Sequence, residues 1–227
     1  MHKTLKKAFV STIPVLTGYL SLGFGFGIIL KANGYETILA PIMSLVIYAG
    51  SMQYVAVGLL AGGASLITVA LTTFLVNARH LFYGISMLDK YKNIGKIKPY
   101  LIFALTDETY SLLCHDDPRI SAEERKKYCF FVSVLDHTYW VVGSLLGSVV
   151  GSLVKFNSQG IDFVLNALFI TIFLEQWLTS KKHSPAVIGV AFSAFCLVLF
   201  GSESFLIPSM LVILLLLCLY KEENQND

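Results

Sequence analysis

Charge is what this sequence has least of. Lys, Arg, Asp and Glu make up 14% of its 227 residues, against about 25% in an ordinary soluble domain. So little charge cannot coat a globule with solvated side chains or keep an unfolded chain in solution. An ordinary soluble enzyme and a disordered chain are both excluded. The net charge of +2 offers no basic field to nucleic acid. Cysteine is sparse too. Cys114, Cys129, Cys196 and Cys218 form no C-x-x-C pair, which leaves neither a zinc site nor a disulfide framework to read. No nucleophile elbow, Walker loop or metal-ligand pair is present. Gly23-Phe24-Gly25-Phe26-Gly27 lies inside an apolar run and is not a phosphate loop. No cofactor, no metal and no catalytic residue is expected, so the protein reads as something other than an enzyme.

What fills the chain instead is hydrocarbon. Hydrophobic residues are 55% of it and the mean hydropathy is +0.68. Apolar segments run over residues 8–30, 38–60, 65–88, 100–114, 128–154, 163–178 and 186–220. The last is interrupted at Gly201-Ser202-Glu203-Ser204 and reads as two spans. A helix needs about 20 apolar residues to cross a bilayer, and only helices satisfy their own backbone there. The expectation is an all-α polytopic membrane protein of six to eight hydrophobic helical segments, one or two of them broken or re-entrant. No linker is long enough to separate two domains, so residues 1–227 read as one transmembrane domain. Lys3, Lys6 and Lys7 precede the first segment, and the pattern favours an uncleaved anchor with its lysines in the cytoplasm. Ser121 and Glu124 form a capping box at the start of the fifth segment.

Counting spans against charge exposes a conflict. Lys90, Lys92, Lys96 and Lys98 lie in one connector, Arg119, Arg125, Lys126 and Lys127 in or beside another, and Lys181-Lys182 in a third. The positive-inside rule places all of them with the N-terminus. Three crossings before residue 89 would put the first group outside. The conflict disappears if the second segment enters and leaves on the outer side and the fourth dips in from the cytoplasm. Ala49-Gly50-Ser51 offers the second segment a breaking point, since Gly and Ser permit an unwound turn. Broken helices of this kind build substrate sites in secondary transporters. Phe9-Val10-Ser11 and Phe131-Val132-Ser133 echo each other, with glycines downstream of both. That echo suggests an internal three-helix repeat with halves near 8–88 and 128–201.

Polar groups inside the apolar runs are the functional candidates. An arginine or aspartate at mid-helix costs ~2.5–3.5 kcal/mol on insertion scales, so it must face a partner or water. Asn77, Arg79, His80 and Tyr83 lie in the third segment. Asp107 and Glu108 lie in the fourth, where they can bind a cation, relay a proton or pair with Arg79. Asp136 and His137 lie in the fifth and read as a proton-relay candidate, with Tyr139 and Trp140 spaced to cap Asp136. Glu175 reads as an interface anchor and Glu203 as a loop residue. The glycines at 23, 25 and 27 have small-residue spacing suited to close helix contact.

These strings together resemble the AzlC family of branched-chain amino acid permeases. The match rests on Gly18-Tyr19 with the glycine run that follows, on Tyr48-Ala49-Gly50-Ser51-Met52-Gln53-Tyr54, and on Asn77-Ala78-Arg79-His80-Leu81-Phe82-Tyr83. Thr106-Asp107-Glu108, Asp136-His137-Thr138-Tyr139-Trp140 and Gly160-Ile161-Asp162-Phe163 continue it. The family usually carries Phe where this chain has Tyr54, which would add a hydroxyl near the site. The resemblance implies export of leucine, isoleucine or valine across the bacterial inner membrane, with a small AzlD-like membrane subunit as partner. A zwitterionic cargo fits Ser44, Tyr48, Gly50, Ser51, Gln53, Asn77, Arg79, His80 and Tyr83 as substrate contacts. Asp107, Glu108, Asp136 and His137 are then the proton-coupling or ion-coupling groups. A passive channel for small neutral solutes and a non-transporting stabilising subunit are the competing readings.

Overall fold

The structure, a computed structural model, describes residues 2–92, 94–114, 121–154 and 183–205, with short helical pieces at 170, 173–174, 177–178, 208–209, 211–213 and 215–217. The motif at 160–163, Glu175, Lys181, Lys182 and Cys218 lie outside the described residues, as do the side chains of Arg79 and Glu203. Two compact units are present: Met1–Val69 with Val76–Ile161, and Ala70–Leu75 with Asp162–Asp227.

The first unit is built on two long helices, α1 (His2–Ala32) and α7 (Ala122–Leu153). Ser121 caps α7 as its spacing predicts, accepting from the Glu124 amide at 3.3 Å. The two helices run parallel, because partners along their seam ascend together. A Cβ at Gly143 would lie 2.9 Å from the carbonyl oxygens of Tyr19 and Leu20, and one at Gly23 2.9 Å from that of Trp140. At Gly27 and Gly147 the opposing backbone is closer still. Hydrophobicity does not drive helices together in lipid, so close backbone packing at small residues does. The glycines at 23 and 27 therefore serve packing, as their spacing predicts, while Gly25 faces the Tyr54 hydroxyl.

Basic groups of the N-terminus and the connectors gather at one end of this pair, while Lys31, in the last turn of α1, stands at the other. Lys7 Nζ stands 5.7 Å above the Tyr128 ring, and Lys126 Nζ approaches Gly95. A cluster of Ala8, Met87, Tyr91, Ile94, Leu101, Leu105, Leu113, Cys129 and Val132 packs the same region. The helices between α1 and α7 then sort by which end they start from.

The second apolar segment is a hairpin, α2 (Leu39–Val46) and α3 (Gly50–Ala61). It enters from the far end, where the Thr37 carbonyl accepts from Ser148 at 3.0 Å. It descends to Tyr48, whose ring lies 4.1 Å from that of His137. It then turns back, so that Tyr54 donates to the Leu22 carbonyl at 2.5 Å. The break falls at residues 47–49, slightly before the Ala49-Gly50-Ser51 point the sequence favours. The residue with positive φ is Tyr48, at 45°, a conformation uncommon outside glycine. Gly50 answers a different need: a Cβ there would sit 2.9 Å from the Trp140 indole.

Helix α4 (Leu66–Ser86), capped by Ser65, runs back to the basic end, where Met87 joins the cluster. It bends by 45° between Ala78 and His80. The fourth apolar segment is a second hairpin, reached through a 3-10 turn at Gly95–Ile97 and made of α5 (Lys98–Phe103) and α6 (Asp107–Leu113). Lys90, before it, donates to the carbonyl of Cys114, after it. Both feet therefore stand at the basic end, and only the tip at 104–106 reaches inward to Tyr19.

In the second unit, α8 (Ser184–Ser204) begins with Pro185 in its first turn and carries a break at Gly201 (φ 72°), where the sequence places an interruption. Its flanks expose Val187, Val190, Phe195, Val198 and Phe200. Among the described residues three helices are long and apolar enough to cross a membrane, or four with α4 taken as one bent span. Two of the apolar segments read from the sequence, 38–60 and 100–114, are hairpins that turn back within the length of the α1–α7 pair. The counterpart that an internal repeat would require, residues 163–178, lies mostly outside the described residues.

Two outcomes follow. Single cysteines at Lys92 and Lys126 should be modified from the same side of the membrane by an impermeant reagent; opposite-side labelling contradicts the hairpin arrangement. Gly147→Ala should lower stability in detergent by about 1–3 kcal/mol through overpacking. Gly84→Ala, where a Cβ meets nothing within 4 Å, should not, and thermal unfolding of the two variants compares them directly.

Candidate functional site

The two hairpin tips arrive from opposite ends and meet against the middle of α7. Tyr48 of the first lies 6.2 Å, ring to ring, from Phe103 of the second. Between them stands His137, whose ring is also 5.9 Å from Phe103 and 6.1 Å from Tyr100. Its Nε2 is 3.2 Å from the Ser44 carbonyl oxygen and its Nδ1 is 3.3 Å from the Tyr100 hydroxyl. A carbonyl can only accept, so Nε2 carries the hydrogen. In the neutral imidazole Nδ1 then accepts from Tyr100. One side chain thereby grips both hairpins.

One residue earlier, Asp136 is fully buried. Thr109, in the first turn of α6, donates to its Oδ2 at 2.8 Å. The caps expected from Tyr139 and Trp140 do not form. Tyr139 instead bonds Thr12 on α1 at 3.1 Å, and the Trp140 indole donates to Gln53 at 2.9 Å. The spacing i+3, i+4 puts those rings near the aspartate along α7, but their long side chains reach other helices. The donor that Asp136 uses is supplied by a hairpin far away in sequence.

From Thr109 the bonds continue. Thr106 caps α6, accepting from the Thr109 amide at 3.2 Å, and donates to the Thr109 hydroxyl at 3.1 Å. The hydroxyl of Tyr19, on α1, lies 2.6 Å from Thr106 Oγ1 and 2.6 Å from Glu108 Oε2. Glu108 and Asp136 are therefore the two ends of one line of hydroxyls. Two buried atoms beside it have no hydrogen-bond partner among the described residues: Asp136 Oδ1 and the Tyr48 hydroxyl. A buried polar atom without a partner is costly, and here two lie within electrostatic reach of each other.

Ser44 and Gln53 are also fully buried, but their bonds run to the protein. Ser44 donates to Ser144 at 2.7 Å, and Gln53 donates to Ser44 at 3.2 Å while accepting from Trp140. They fasten the first hairpin to α7. Ser51 is half-buried in the first turn of α3 beside Gly50. On α4, His80 Nδ1 is 3.3 Å from the Asn77 carbonyl, and the Tyr83 ring stacks on Tyr110 of α6 at 4.6 Å. Arg79 sits at the bend of that helix. Asp107 opens α6 next to Glu108. The Tyr54 hydroxyl is committed to the α1 backbone and ties α3 down rather than adding to the site. Sequence reasoning missed Tyr19, Thr106 and Thr109 as functional candidates. The signal was present in the Gly18-Tyr19 and Thr106-Asp107-Glu108 strings, but neutral hydroxyls in apolar runs do not advertise their partners.

The family model described as AzlC protein matches residues 14–154, which include both hairpins and α7 up to its end. The chain belongs to the AzlC family. It is 48% identical to the branched-chain amino acid transport protein AzlC of Bacillus subtilis over 92% of its own length and 82% of that protein's. It is 44% identical to an uncharacterized membrane protein of Helicobacter pylori, covering 97% and 96% of the two chains. The inner membrane protein YgaZ of Escherichia coli is 27% identical over 90% and 84%. No solved structure matches the chain. As an AzlC-family membrane protein, the chain has its described site inside the stretch that defines the family.

Trp140→Phe should destabilise the protein by about 1–3 kcal/mol, because the Gln53 carbonyl is left buried without its donor. Thermal unfolding in detergent measures it. Trp140→Phe with Gln53→Leu should recover part of that loss, since both halves of the bond are then gone.

Proposed function

We propose that this protein is the large subunit of a proton-coupled exporter of branched-chain amino acids, placed in the bacterial inner membrane and working with a small AzlD-like membrane partner. The observation that carries the reading is the meeting of two opposed hairpin tips over a buried, half-partnered aspartate. An amino acid with an apolar side chain needs three things: an acceptor for its ammonium, N–H donors for its carboxylate, and a dry wall. Asp136 Oδ1 is an unused acceptor. Gly50 opens α3 with Ser51 beside it, and a helix N-terminus suits an anion. Tyr48 and Phe103 supply apolar faces.

In this reading Ser44 and Gln53 position the tip, and Asn77, Arg79, His80 and Tyr83 on α4 complete the substrate contacts. Asp107, Glu108, Asp136 and His137 couple the proton. Each hairpin opens toward one side only, so withdrawing one tip at a time exposes the cargo to one side at a time. The relation to the Bacillus subtilis transport protein supports the substrate class, and burial of ionisable groups in an apolar chain supports transport over a structural role.

The test is leucine flux in proteoliposomes, with and without the co-encoded small subunit. A saturable efflux that responds to an imposed pH gradient is the expected result. Asp136→Asn should reduce it by roughly tenfold or more, the scale of losing a proton-transfer group. Flux that neither saturates nor responds to the gradient would point to a passive pore instead.

A further inference from the structure

We infer that Glu108 and Asp136 hold a single proton in common, and that Tyr19, Thr106 and Thr109 are the relay that moves it between them. The argument is a count of hydrogens. The line Glu108–Tyr19–Thr106–Thr109–Asp136 contains four oxygen–oxygen contacts, at 2.6, 2.6, 3.1 and 2.8 Å. Each contact needs one hydrogen. The three hydroxyls bring one hydrogen each, and an ionised carboxylate brings none. Three hydrogens cannot fill four contacts, so with both acids ionised one pair of oxygens faces lone pair to lone pair. One further proton, on either carboxyl, completes the line.

Two arrangements satisfy every contact. In one, protonated Glu108 donates to Tyr19, Tyr19 to Thr106, Thr106 to Thr109 and Thr109 to ionised Asp136. In the other every donor and acceptor is reversed, with Asp136 protonated and Glu108 ionised. Passing from the first to the second, each of the three hydroxyl oxygens receives one hydrogen and gives one up. The Glu108 O–H bond breaks, the Asp136 O–H bond forms, and the net charge of the line stays at one negative. No heavy atom has to move.

The surroundings give the relay a direction. Glu108 is only half-buried, so its end is the more accessible of the two. Asp136 is fully buried, and its Oδ1 has no hydrogen-bond partner among the described residues. The ionisable groups around Asp136 are Glu108 on α6, Tyr19 on α1, Tyr48 at the first hairpin tip, Tyr100 on α5 and His137 on α7. Among the described residues, no lysine or arginine hydrogen-bonds either carboxylate of the line. A cargo ammonium arriving at Asp136 favours the arrangement in which Asp136 is ionised and the proton sits on Glu108. Cargo departure favours the reverse. Proton and cargo thus compete for one carboxylate through a line of three hydroxyls.

This inference rests on the transport reading only for its last step, and the test separates the two. In full-length protein in lipid nanodiscs, infrared difference spectroscopy reads the carboxylic-acid C=O band across neutral pH. Glu108→Gln and Asp136→Asn each supply an amide hydrogen to the vacant contact. Each single variant should therefore abolish the whole band, not part of it. A band surviving in either variant overturns the shared proton, whether or not the protein transports leucine. In proteoliposomes Thr109→Val keeps the side-chain shape and the Thr106 cap but removes the relay hydroxyl. It should lower pH-driven leucine flux roughly tenfold more than leucine exchange, and Thr109→Ser should restore the ratio. Driven flux and exchange falling in step would assign Thr109 to cargo binding and overturn the relay. A wild-type protein that moves no leucine would count against the transport reading alone, with the infrared result still deciding the relay.

Discussion

The close approach of α1 and α7 is the constraint on which the rest depends. The glycines on the two helices bring backbone against backbone along several turns. That seam sets Tyr19 on one helix against Trp140 on the other, 5.5 Å ring to ring, with Asp136 and His137 about one turn before Trp140. The hairpins have no comparable seam of their own. Helices α2, α5 and α6 are eight, six and seven residues long, too short to be stable alone. They persist because the α1–α7 pair offers partners for their polar residues: Ser144 for Ser44, Trp140 for Gln53, Tyr19 for the Thr106–Glu108 turn, Asp136 for Thr109. The scaffold is close-packed at its glycines, while the inserts, themselves apolar, are held to it by a few hydrogen bonds.

This division explains why the interrupted segments tolerate an apolar setting. Non-helical backbone at membrane depth survives only where protein or a wet compartment surrounds it. At the first tip, Tyr48 adopts a left-handed conformation with its ring against His137 and Phe103. A non-glycine residue in that region is strained, and such strain persists only when its neighbours over-determine it. At the second tip, Thr106 both caps α6 and joins the hydroxyl line. Each break in the helices therefore delivers a side chain to the buried polar cluster against α7.

Much of this was legible from residue order alone, for identifiable reasons. Lysines placed on the wrong side by simple counting forced two segments to double back, and the contacts of Lys90, Lys126 and Lys7 bring those lysines to one end. Charge in an apolar run is conspicuous, so Asp136, His137 and Glu108 could be picked out unaided. Their partners could not. The indole and phenol that follow Asp136 along α7 turned to Gln53 and Thr12, because local spacing says which side chains are near but not which neighbouring helix offers the better bond. Thr109 and Tyr19 come from hairpin and helix positions 27 residues and more away in sequence. Only the folded topology makes them adjacent. The exact break at Tyr48 was hidden for a related reason: glycine marks where unwinding is cheap, but the bulk of Trp140 claimed Gly50 for clearance and pushed the turn upstream.

The histidine clasp has a mechanical corollary. Its imidazole has two ring nitrogens, and each is spent on a different hairpin: one on the Ser44 carbonyl, the other on Tyr100. Retreat of either hairpin forfeits one bond and keeps the ring anchored by the other. Retreat of both at once forfeits both bonds together with the ring contacts from Tyr48, Tyr100 and Phe103. Under the proposed transport cycle, a state with both hairpins withdrawn loses the most contacts at this ring, so His137 would link the two movements.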